Sequence, residues 1–115
     1  MIGRHGRSGK NAFFVTGSSR SNLLSIMQKN LEGDEIKAEG DGWDGKDLFF
    51  RSDNVSFYYK GIVAHSIMCS DDTDPCYHDV CDDVAGIDFP NMINIVRAIV
   101  KATKTLVNGE DTPKK

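Results

Sequence analysis

Apolar positions along the chain change their spacing several times, and each change predicts an element. Ala12-Phe13-Phe14-Val15 is an unbroken apolar run ending near Gly17, the profile of a buried strand over residues 11–16. Ser19 or Ser21 can cap a helix that follows, because Leu23, Leu24, Met27 and Leu31 recur at three-and-four spacing. Residues 32–47 are then rich in Gly, Asp and Glu, with room for a short strand around Ile36 and with Trp43 as the large anchor. So long a polar stretch predicts a functional lid or a disordered segment. Ser52 reads as a second N-cap, opening a short helix with Val55, Tyr58 and Tyr59 on one face and Gly61 as its stop.

Residues 62–69 (Ile-Val-Ala-His-Ser-Ile-Met-Cys) are β-branched and mostly apolar, which predicts a central strand buried on both faces. Asp88 and Pro90 mark the start of the last helix, as N-cap and as a first-turn residue whose missing N–H is harmless. Its predicted buried stripe is Met92, Ile95, Val96, Ile99 and Leu106, with Gly109 just past the end. The order strand, helix, loop, helix, strand, loop, helix is an α/β pattern. Residues 1–109 are expected to form one body and residues 110–115 a flexible tail.

Charge sharpens this picture. The 115 residues carry 14 basic and 17 acidic side chains, a net charge of -3, which excludes the basic excess of a nucleic-acid binder. No apolar run is long enough for a transmembrane helix, and the first residues lack the apolar core of a signal peptide. No nucleic acid and no membrane is expected as a partner. Arg4, Arg7 and Lys10 make the start basic, whereas residues 61–96 contain neither Lys nor Arg. That stretch holds Asp71, Asp72, Asp74, Asp79, Asp82, Asp83 and Asp88, whose mutual repulsion must be relieved by solvent, by cations from elsewhere, or by a metal. The acidic loop leaves the carboxyl end of a predicted strand, where open α/β sheets collect ligands.

Within that loop the densest chemistry is Tyr77-His78-Asp79-Val80-Cys81-Asp82. A neutral imidazole is a common metal ligand, and a carboxylate four residues on can hold its other ring nitrogen. On these residues alone, a surface histidine among solvated aspartates remains the commoner outcome. Cys69, Cys76, His78 and Cys81 also have the residue types of a small structural zinc site. Asp71, Asp72 and Asp74 permit a calcium-binding or interaction module, although the glycine and final glutamate of an EF-hand are missing. His65, inside a predicted strand, reads as a hydrogen-bonded core histidine.

Several segments in series resemble the C-terminal portion of the di-zinc aminopeptidases, which include bacterial secreted leucyl aminopeptidases and glutamate carboxypeptidase relatives. They are Phe49-Phe50-Arg51-Ser52-Asp53-Asn54, Phe57, Lys60-Gly61-Ile62-Val63-Ala64, Tyr77-His78, Asp82 and Ile87-Asp88 before a long amphipathic helix. Met1-Ile2-Gly3-Arg4 resembles the segment that follows an aspartate zinc ligand in that family. The resemblance implies part of a three-layer mixed β-sheet with flanking helices, truncated at its N-terminus, from a parent holding two zinc ions. It implies that His78 is a zinc ligand, Tyr77 a polariser of the scissile carbonyl, Asp82 a partner behind the histidine, and Ser52, Asp53 and Asn54 part of the substrate cleft. The first histidine, the bridging aspartate and the paired glutamates of the family have no counterpart here.

The expected partners are therefore a peptide substrate in the intact parent and the N-terminal part of the domain. A homo-oligomer through an exposed sheet edge is a further expectation. The family resemblance favours a periplasmic or secreted location, and there a disulfide between Cys76 and Cys81 is feasible. Residues 61–69 lack the arginines with which the glutamate-specific branch holds a substrate carboxylate, so an aminopeptidase is favoured. Asn54 stands where the family often has histidine, and Val63 and Val80 where it has proline, which leaves a non-catalytic homologue as the alternative.

Overall fold

The computed structural model describes residues 2–42 and 48–115. Trp43, expected to anchor the long loop, lies outside the described residues. The predicted first strand forms as β1 (Ala12–Val15), and all four of its residues are buried. It lies between β2 (Lys37–Gly40), which runs parallel to it, and β3 (Ile67–Met68), which runs antiparallel. The register pairs Phe13 with Ala38 and Phe14 with Met68. The sheet is thus mixed, and the molecule is α/β.

Alternation along β1 sends Phe13 and Val15 to one face, where they meet the helices α1 (Leu23–Asn30) and α3 (Phe89–Ala102). Met27, Leu31, Ile95, Ala98 and Ala102 complete that core. Burying Phe13, Phe14 and Val15 contributes about 1.5–3 kcal/mol each, which makes β1 the centre of the fold. Phe14 points to the opposite face and is equally buried. Two shorter helices, α2 (Asn54–Tyr58) and α4 (Lys104–Val107), complete the α-helices among the described residues, and 3-10 turns occupy Ser18–Arg20, Leu48–Arg51 and Val84–Gly86. No helix among the described residues is long and apolar enough to cross a membrane.

Capping agrees with expectation at one helix and differs at two. Asp88 accepts from the Asn91 N–H at 3.1 Å, with Pro90 in the first turn of α3, as read from the sequence. At α1 the N-cap is Asn22, without a side-chain bond, so neither Ser19 nor Ser21 holds that position, although Ser21 Oγ, one residue earlier, accepts from Leu23 N at 3.1 Å. Ser52 does not cap α2: that position belongs to Asp53, without a side-chain bond, and the Ser52 hydroxyl is bonded to Ser66 instead.

The strand expected over residues 62–69 is much shorter and lies at an edge. Only Ile67 and Met68 pair, because β1 offers one side and no strand covers the other among the described residues. Thr16 N to Ser66 O at 2.9 Å extends the contact by one step. Ile62 is consequently exposed rather than buried on two faces. The tail, expected to fray, is tied at Lys114, whose N–H donates to Asn22 Oδ1 at 2.7 Å and whose carbonyl accepts from Asn22 N at 2.9 Å.

Candidate active-site cleft

Beyond the carboxyl end of β1 the chain turns sharply at Gly17, and Thr16 stays within reach of the segment leading into β3. Its hydroxyl accepts from Ser66 N at 3.1 Å, and its carbonyl accepts from His65 Nδ1 at 2.7 Å. A carbonyl can only accept, so Nδ1 carries the proton and Nε2 accepts from the Ser21 hydroxyl at 2.7 Å. His65 is therefore a bonded structural histidine, as read from the sequence.

Ser66 in turn places the Ser52 turn. Its hydroxyl lies 2.8 Å from Ser52 Oγ and 2.9 Å from Asn54 Oδ1, while Asn54 Nδ2 donates to Phe49 O at 3.1 Å. Asn54 is buried, whereas Asp53 is exposed. A cleft of about 270 Å³ opens beside Ser66, walled by Arg51, Ser52, Ile67, Met68 and Tyr77. Tyr77 thus shares a cavity with the Ser52 turn and the β3 end, although it lies 25 positions after Ser52 in sequence.

His78 follows at once but is exposed, with a left-handed backbone at φ 56°. Its ring stacks edge-on to Tyr77 with centroids 4.2 Å apart. A left-handed non-glycine residue costs on the order of 1 kcal/mol. Asp82, expected behind the imidazole, is exposed and forms no hydrogen bond to His78 among the described residues. It stands instead on the side of the loop facing Arg4, beside Asp83 and Ile87.

The basic start of the chain meets three of the acidic loop's aspartates, Asp71, Asp74 and Asp88. Arg4 grips Asp74 through Nε at 2.7 Å and Nη2 at 3.1 Å. Arg7 approaches the buried Asp71 at 3.6 Å, while Lys10 and His5 approach Asp88 at 3.3 and 3.6 Å. Arg51 adds a pair with Asp72 at 3.4 Å. The Arg4 hydrogen bonds, with help from the Cys76 N–H, hold the Asp74 carboxyl below the usual carboxylate range. Sequence reading noted both charge blocks but did not pair them; their opposite sign was the available signal.

These contacts correct two rival readings. Cys76 and Cys81 are joined in a disulfide, and Cys69 is buried, with burial pushing its thiol up to about 11, so the proposed thiolate zinc site is not available. Asp71, Asp72 and Asp74 each face a different arginine, so they do not converge on a calcium ion. Among the described residues no three His, Cys, Asp or Glu side chains gather as metal ligands. A catalytic zinc takes about three protein ligands, and His78 alone does not meet that requirement.

The family model described as Peptidase family M28 matches residues 3–103, and the chain belongs to that family of peptidases, which is generally zinc-dependent. No curated protein and no solved structure matches the chain significantly.

Proposed function

We propose that this chain is the C-terminal part of the catalytic domain of a zinc-dependent aminopeptidase and that it is inactive by itself. One observation carries the reading: Tyr77 lines the same cleft as Ser52, Ser66 and the end of β3. Its phenolic O–H is a donor suited to an oxyanion that forms at the scissile carbonyl. Ser52 supplies a hydroxyl along that wall, bonded to Ser66, which the buried Asn54 braces from behind through its Oδ1. His78 offers one imidazole next door, at a backbone position where glycine would be less costly.

Among the described residues no three candidate ligands gather for a zinc ion, which supports a reading in which the other ligands and the general base come from a longer polypeptide. Aminopeptidase is preferred to carboxypeptidase because residues 61–69 contain no Arg or Lys to fix a substrate carboxylate. Arg51, at the rim of the cleft, is engaged with Asp72 instead. The test compares the 115-residue chain with a polypeptide extended through the reading frame upstream of Met1. With zinc, only the longer form should hydrolyse leucine 4-nitroanilide, and His78→Ala should abolish that activity. Turnover by the short chain, or a fully active His78→Ala variant, refutes the reading; an inactive longer form favours the non-catalytic homologue.

A further inference from the structure

The acidic loop is fastened at its two ends by one segment. Gly6 N donates to Cys69 O at 2.9 Å and Arg4 grips Asp74, which fixes the entry. Asp88 N donates to Gly3 O at 2.9 Å and Arg4 Nη1 to Gly86 O at 3.3 Å, which fixes the exit. Between those anchors, residues 76 and 77 are tied to Asp74, while residues 78–81 are held only by local turns and the disulfide. Val80 is 95% exposed, and His78, Asp79 and Cys81 are also exposed, so no apolar side chain except Tyr77 roots this part of the loop. Its backbone N–H groups bond only within single turns: Cys76 N to Asp74 Oδ1 and Tyr77 N to Asp74 O at 2.9 Å, then Asp79 N to Cys76 O and Asp82 N to Asp79 O at 3.0 Å. The Cys76–Cys81 bond closes this turn around Tyr77 and His78.

We propose that this disulfide is a redox switch: oxidised, it seats Tyr77 in the cleft and holds His78 in its left-handed conformation, and reduction by a dithiol releases both. The thiolate of the reductant attacks the sulfur of Cys81, the more exposed partner, and expels Cys76 as thiolate, which takes up a proton. The second thiol of the reductant then displaces Cys81 from the mixed disulfide. Two electrons and two protons pass to the protein, and the reductant leaves as its own disulfide. Cys69 stays out of the exchange, since it is buried and its thiol is protonated near neutral pH. A loop closed by six residues gains order locally, while β1 and α3 are held by the core and do not depend on it.

What the switch means for catalysis rests on the peptidase reading, but the ordering of the loop is measured without substrate, so either can fail alone. The experiment is ¹⁵N relaxation on the full chain before and after dithiothreitol, and again after reoxidation. Reduction should lower the order parameters of residues 77–80 from about 0.85 to below about 0.6, with β1 and α3 unchanged. The His78 ring signals, displaced by the neighbouring Tyr77 ring, should move to free-histidine positions and return on oxidation. Unchanged order in residues 77–80 overturns the proposal, because the turns and Arg4 would then suffice. Loss of β1 and α3 signals overturns it too, since the bond would then be a staple of the whole fold. The Cys76→Ser/Cys81→Ser variant should match the reduced spectrum; should it not fold, the reduced native chain still decides.

Discussion

Gly17 shows how narrowly single positions are set. Its φ is 61°, and a Cβ there would sit 2.3 Å from Cδ2 of Phe49, a fully buried ring. Gly17→Ala would combine the left-handed backbone cost of about 1–2 kcal/mol with displacement of that ring. A total loss of about 2–4 kcal/mol is expected in urea denaturation, and a change under about 0.5 kcal/mol would contradict it. Asp74 sets a pH dependence at the same scale. Its carboxyl is lowered on folding, chiefly by Arg4, so the stabilisation is present above the ordinary carboxylate value near 4. It is lost as pH falls through the lowered folded value. Asp74→Asn should therefore reduce the steepness of acid destabilisation, read as denaturation midpoints from neutral pH to about pH 2. Identical slopes in both proteins would exclude a role for this pair.

Among the elements, α3 best shows where periodicity runs out. Its predicted stripe included Ile95, which is fully buried, and Val96, which is 43% exposed. The observed inner face is Asn91, Ile95, Ala98 and Ala102, and Phe89, Ile93 and Val100 form a second apolar side. A helix apolar around most of its circumference satisfies more than one stripe, so spacing cannot choose between them. Ile95→Ala should cost about 2–5 kcal/mol and Val96→Ala within about 0.5 kcal/mol, both from denaturation midpoints. Equal costs would place the core on the wrong side of the helix. The same limit applies to residues 62–69: a β-branched apolar run reads alike at the centre or edge of a sheet, and only the available neighbours decide which.

For the molecule as a whole, β2 and β3 are the outer strands of the described sheet, and Phe57, Tyr59 and Ile62 stand exposed near α2. Open edges and apolar surface promote pairing between copies. The isolated chain should self-associate at micromolar concentration in sedimentation velocity, and a monodisperse monomer over a hundredfold concentration range would oppose this. The cleft was partly legible in advance. Ser52, Asn54 and Tyr77 were named through the family resemblance; Ser52 and Tyr77 line one cavity, and Asn54 bonds to Ser66 beside it. Ser66 was not, because a serine inside an apolar run carries no local signal, and its role exists only through Thr16 and the Ser52 turn. The Asp82–His78 pair, drawn from their spacing, is not formed, because the intervening turn directs Asp82 toward Arg4.

Sequence alone determined what depends on near neighbours: the buried run of β1, the Asp88 cap with Pro90, the chemical types in the acidic loop, and the family resemblance through ordered short motifs. These are properties of a few consecutive residues, so composition and spacing record them. Tertiary structure decided which cations answer the aspartates, which cysteines join, which side of α3 is buried and which strand lies at the edge. Each of those is a competition among distant groups for the same partner or surface, and its outcome depends on distances in space that spacing along the chain does not encode.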